Sequence, residues 1–128
     1  VAATRRARGV ALIAGRTIGG DPEQPGIAPV DAINTVLAAA ALSPADLVSA
    51  EIMEAFAVQA IACQQGANLP RNIVNRHGGA LAWGHPVGAS GAVLAARLYH
   101  QLCQAKGAGI AAIAAAGGIG TAILLRSD

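Results

Sequence analysis

Aromatic side chains are nearly missing from this sequence: its 128 residues include one Trp, one Tyr and one Phe. A core must then be assembled from Ala, Val, Ile and Leu. These bury little area apiece, so a further surface, from a partner subunit or domain, is expected to complete the burial. The length allows one domain with a real core. Charge is scarce as well, at 12% of residues with a formal net charge of +2, too little to favour nucleic acid as a partner. Its one local concentration, Arg5, Arg6 and Arg8, reads as a solvated terminus rather than a phosphate-binding patch. The two cysteines, Cys63 and Cys103, form no CxxC pair and have no metal-ligand spacing. Both fall in helically patterned segments, so inert buried thiols in a reducing, cytoplasmic setting are expected, with no metal site.

No secretory signal is expected either, because no apolar segment and cleavage site follow the basic run. The sequence begins at Val1 rather than Met, from which a portion of a larger protein is expected. One uncharged run, residues 107–125, is long enough to suggest a membrane span. Gly107, Gly109, Gly117, Gly118 and Gly120 interrupt it, and a glycine pair in mid-run reads as a turn between two buried strands. No membrane helix is expected.

What is present is an alternation of short apolar runs with helical periods. "GVALIAGR" (9–16) predicts a buried strand, followed by a Gly- and Pro-rich loop from Ile18 to about Ala28. "PVDAINTVLAAAAL" places Val30, Ile33, Leu37 and Ala40 at helical spacing behind Pro29. "SPAD" (43–46) resembles a helix start with Ser43 as N-cap and Asp46 three residues on, and "LVSAEI" then reads as a second strand. "EAFAVQAIACQQGA" predicts a helix closed by Gly66, and "NIV" (72–74) a very short strand. A third helix is expected at about Ser90–Ala105, with Leu94, Leu98 and Leu102 on one face and Arg97, Gln101 and Gln104 on the other. "IAAIAAA" and "TAILL" close the chain as two strands. The order β-α-β-α-β-α-β-β predicts an α/β layered domain, residues 1–128, with a mixed sheet covered by helices.

Chemistry concentrates in "GGALAWGHPVGASG". Gly78 and Gly79 permit tight turns, Pro86 fixes the dihedral after His85, and Ser90 is a plausible N-cap for the next helix. A histidine held this way is a candidate general base for a thiol or hydroxyl nucleophile, its titration lying near neutrality. On the residues alone, a structural histidine stays the commoner reading.

The same stretch is very similar to the Gly-His-Pro loop of the thiolase family. Three further segments carry that resemblance, in order, along nearly the whole chain. "GIAPVDAI" resembles the family's lead-in to its first helix, "EIMEAFAVQA" its Asn-Glu-Ala-Phe loop, and "AAAGGIGTAILL" its final Cys-x-Gly-Gly-Gly-x-Gly hairpin. The resemblance implies the C-terminal half of a thiolase-type enzyme, packed against a similar N-terminal half within homo- or hetero-oligomers. It implies acyl transfer between coenzyme A thioesters, with the thioester as substrate and no covalently bound cofactor. The nucleophilic cysteine would come from the N-terminal half, and lipid metabolism is the implied setting.

Residue by residue, the resemblance gives His85 the part of the histidine that activates the nucleophile and polarises the thioester oxygen. Glu54, Ala55 and Phe56 match directly, with Glu54 open to a structural part. Two positions depart from the family. Met53 stands where the family has an Asn that holds a water in the oxyanion hole, and a thioether donates no hydrogen bond. Loss of such a donor typically costs on the order of 100- to 1,000-fold in rate. Ala114 stands where the family has its acid/base cysteine, and a methyl group moves no proton. Ala116 occupies the motif's first glycine position, and its backbone N–H, with the Gly84 turn, remains a candidate for oxyanion binding or loop shape. Three readings stay open: an acyltransferase still using His85, a relative with altered hydrolase- or aldolase-like chemistry in which a residue such as His77 handles protons, and an acyl-CoA-binding scaffold.

Overall fold

The computed structural model describes residues 9–128, so the Arg5, Arg6 and Arg8 run lies outside the described residues. Strand β1 (Val10–Gly19) is followed by helix α1 (Ala28–Ala39), strand β2 (Leu47–Ile52) and helix α2 (Ala57–Gly66). A one-turn helix α3 (Ala80–Trp83), the long helix α4 (Ser90–Gln104) and strands β3 (Gly107–Ala115) and β4 (Ile119–Ser127) complete the domain. The sheet runs β1-β4-β3-β2 and is mixed as expected, with β2 parallel to β3 and the β1–β4 and β3–β4 pairs antiparallel.

Strand alternation explains why the 107–125 run is apolar throughout. Its even positions Ala108, Ile110 and Ala112, with Ala122 and Leu124 of β4, pack against Ile33, Val36 and Leu37 of α1 and Cys63 of α2. Its odd positions Ala111 and Ile113, with Ile123 and Leu125, meet Leu94, Leu98 and Leu102 of α4 on the opposite face. A strand covered on both sides has no polar face to alternate with. The turn between β3 and β4 places Gly117 and Gly118 at φ of 83° and 80°, where a side chain would be strained. Small residues also set the layer spacing: a Cβ on Gly120 would run into the Ala28 carbonyl at the start of α1. Among the described residues, no helix is long and apolar enough to cross a membrane.

The structure departs from the expected elements in several places, among them the one-turn α3, which stands where no element was expected. Strand β1, expected to be buried, is a largely exposed edge strand paired with β4 alone, and it runs on into the expected loop because Thr17, Ile18 and Gly19 keep pairing with β4. "NIV" is not a strand. Pro70 starts a 3₁₀ turn over Arg71–Ile73, and Asn75 at φ 45° ends the extended backbone, leaving one bridge between Val74 and Ala50. The Asn75 side chain takes over the pairing: its amide donates to the Ile52 carbonyl and its oxygen accepts from the Ile52 N–H, both at 2.9 Å. "SPAD" does start a helix as expected, with Ser43 at the N-cap of a single 3₁₀ turn; its N–H and hydroxyl both donate to the Asp46 carboxylate at 2.7 and 2.6 Å. At α4 the N-cap position falls on Ala89, so Ser90 is the first helical residue and its hydroxyl serves another purpose.

Candidate functional site

His85 follows α3, whose last residue hands over to Gly84 in the left-handed region at φ 98°. The Gly84 N–H is engaged by the Ala80 carbonyl at 2.8 Å, so Gly84 shapes the turn that delivers the histidine. The imidazole stands on the surface, but its Nδ1 lies 2.6 Å from the hydroxyl of buried Ser90. That hydroxyl also lies 3.3 Å from the Pro86 carbonyl, to which it can donate while accepting from the ring. Nδ1 is thus occupied by Ser90 and Nε2 is left to face outward; with the proton on Nδ1, Nε2 has the lone pair a general base needs. Ser90, expected as a helix cap, instead orients the histidine.

His85 opens on a cavity of about 550 Å³ at the carboxyl end of β3. Its wall brings together His85, Ala114 and Ala116, with Phe56, Gln59 and Thr121. Three of the site residues expected from the sequence thus share one cavity. Met53 does not line it: 3% exposed, it packs with Leu94, Leu98 and Leu102 beneath the loop, beside a smaller crevice that Gly84 also lines. Nothing on the Ala114 side chain moves a proton, and Thr121 is engaged with Thr17 through a 2.9 Å hydroxyl pair.

Glu54 acts within the scaffold. Its carboxylate accepts from Asn75 at 2.8 Å and from the Leu81 N–H at 3.0 Å, tying the end of β2 to α3. A Cβ on Gly79 would run into that carboxylate, so the glycine leaves it room to reach Asn75 and Leu81. Cys63 is fully buried as expected, and its thiol is pushed up from its usual pKa by desolvation, partly offset by a hydrogen bond from Gln59. Cys103 is only half-buried, contrary to expectation, because α4 leaves that flank without a covering element. Among the described residues, no group of three or more His, Cys, Asp or Glu could hold a metal. His77 lies on the surface beside Trp83, Arg97 and His100, apart from the His85 cavity.

A buried polar cluster escaped the sequence reading. Glu51 of β2, with no exposed surface, receives Arg97 Nε and Gln101 Nε2, each at 2.6 Å, and Ser49 donates to Gln101. Arg97 and Gln101 therefore do not face solvent; they turn inward from the flank of the leucine stripe. Alternation of charged with apolar residues in "LVSAEI" was the available signal, since Ser49 and Glu51 share the face of β2 that looks at α4.

Fold and site together define a thiolase-type α/β domain: a mixed sheet between helices, with an anchored histidine loop and a glycine hairpin meeting at one cavity. The chain belongs to the thiolase family, matching the family model for the thiolase C-terminal domain over residues 8–127. VraB of Staphylococcus epidermidis, named for acetyl-CoA C-acetyltransferase activity, is 43% identical over 118 residues, which cover 92% of this chain and 30% of that protein. The Acat5 thiolase of Ascaris suum, solved in complex with coenzyme A, superposes with a TM-score of 0.88 at 34% identity, covering 93% of this chain and 31% of its own. The peroxisomal 3-ketoacyl-CoA thiolase of Saccharomyces cerevisiae, described as five layers built from two core domains of identical topology, gives 0.87 at 35% identity, covering 93% and 34%. This chain thus spans about a third of the length of the relatives it matches.

Proposed function

We propose that this chain is the C-terminal part of a thiolase-type acyltransferase, in which His85 activates a nucleophilic cysteine supplied by an N-terminal thiolase domain. The observation that carries the reading is the His85–Ser90 pair at the mouth of the cavity that Ala114 and Ala116 also line. Nε2 of His85 takes the thiol proton; the thiolate attacks the carbonyl carbon of an acyl-CoA, and the C–S bond to coenzyme A breaks. The same imidazolium returns its proton to the departing coenzyme A thiolate, so acylation closes its proton balance on one histidine. The Ala116 N–H, on the exposed turn of the glycine hairpin, is a fitting donor to the carbonyl oxygen as charge develops.

Forming or breaking a carbon–carbon bond asks for more. A proton must leave or reach the α-carbon, and the position the resemblance assigns to that task is Ala114. We infer that the protein forms an acyl-enzyme but carries the Claisen or thiolysis step slowly, so that acyl transfer or hydrolysis dominates. The alternative, a scaffold that binds acyl-CoA without turnover, is favoured by the same methyl group. A cytoplasmic setting, a role in acyl-CoA and lipid metabolism, and an oligomer fit the relatives. The exposed Phe56, Val58, Leu81, Trp83 and Val87, all more than half accessible, suit a covering domain.

The test is turnover of acetyl-CoA and acetoacetyl-CoA by the complete protein. His85→Ala is expected to lower acyl transfer by about 100-fold or more, and Ala114→Cys to raise carbon–carbon bond formation by about 100-fold. Equal rates for His85→Ala and parent would refute the site; no turnover by the parent would leave the scaffold reading.

A further inference from the structure

We propose that Arg97 is a positioning residue for His85. Its guanidinium, neutralised by buried Glu51, clamps the segment from Gly78 to Trp83 and so fixes where the histidine stands. The proposal rests on the role given to His85 above.

Arg97 makes more contacts than neutralising Glu51 requires. Its Nε already meets one carboxylate oxygen at 2.6 Å, and Gln101 meets the other at the same distance. The Nη2 amino group reaches the second carboxylate oxygen only at 3.5 Å and makes its short bond to the loop. One terminal amino group of Arg97 donates to the Gly78 carbonyl at 2.6 Å, and the guanidinium carbon lies 3.7 Å from the centre of the Trp83 ring. Gly78 has φ 80°, and a Cβ there would come within 2.8 Å of the Trp83 indole nitrogen. Carbonyl, guanidinium and indole therefore pack as one unit two residues before His85.

Helix α4 holds the loop at both ends. Ser90 and Arg97 are seven residues apart, two helical turns, and so lie on one stripe. The first grips the imidazole and the second the backbone and side chain leading to it, while buried Glu51 fixes the stripe to β2. A planar fork that bonds a carboxylate and a carbonyl while stacking on an indole is a task for arginine; a lysine supplies the charge alone.

Two variants separate positioning from stability. Arg97→Lys keeps a cation for Glu51 but loses the fork and the stack. Trp83→Leu leaves the Glu51–Arg97 pair intact, removes the ring under the guanidinium and keeps an apolar side chain on the face that suits a covering domain. In the complete protein, each is expected to lower kcat for acyl-CoA turnover by about tenfold or more with KM within about two-fold. Each is also expected to move the His85 ring resonances and their titration midpoint in NMR, with Trp83→Leu melting close to the parent. Parent-like kcat and ring titration in Trp83→Leu, while His85→Ala abolishes turnover, would overturn the clamp. If His85→Ala turns over like the parent, the functional reading fails instead, and the ring titration alone decides the clamp: moved in the variants supports it, unmoved overturns it.

Discussion

At the scale of single residues, what matters is which atoms are already committed. His85 has Nδ1 bound to Ser90 and Nε2 free, and Cys63 has its sulfur held between Gln59 and the Gly26 carbonyl, at 3.2 and 3.1 Å. Burial keeps the Cys63 thiol protonated well above neutral pH, and its position keeps reagents out. Cys103 is reachable. A maleimide added to the native protein is therefore expected to modify Cys103 and spare Cys63 until denaturant is present, as peptide mass mapping would show; early labelling of Cys63 would contradict the buried, hydrogen-bonded thiol. The histidine was legible because Gly84 and Pro86 flank it in the sequence. Its anchor was not, because a serine opening a helix carries the same signal whether it caps the backbone or, one residue later, points at a neighbour.

At the scale of elements, the periodic helices and the glycine-split hairpin were legible because their patterns are long. The "NIV" strand failed because three apolar residues cannot outweigh Pro70 before them and the left-handed Asn75 after. The one-turn α3 carries no period at all; Glu54 holds it through the Leu81 N–H. The Ser43–Asp46 turn that leads into β2 gives a pH test. Its two hydrogen bonds hold the exposed Asp46 carboxylate below its usual pKa. A depressed pKa in the folded state means stabilisation that is full above the unfolded value and is lost as pH falls through the folded one. Asp46→Asn should thus lower the melting temperature slightly at pH 7 and flatten its fall below about pH 4, the ordinary carboxylate range. Parallel melting curves for parent and variant down to pH 2 would contradict the turn.

Across the whole molecule, scarcity of large side chains has a structural counterpart. The sheet is covered on one face by α1 and α2 and on the other by α4 alone, leaving an open patch along Gly91, Ile113, Thr121 and Ile123. Large apolar residues gather around the His85 loop, among them Phe56, Leu81, Trp83 and Val87. A cysteine from a covering domain would arrive at that same surface. The sequence indicated that burial was incomplete; which surface stayed open depended on where α4 crosses the sheet, a tertiary property no local pattern encodes. The most direct test is to mix the complete protein with acetyl-CoA, quench, and weigh its peptides. One acetyl group is expected on a cysteine outside residues 1–128, forming about 100-fold more slowly in His85→Ala. Acetylation at the parent rate in His85→Ala would contradict the account.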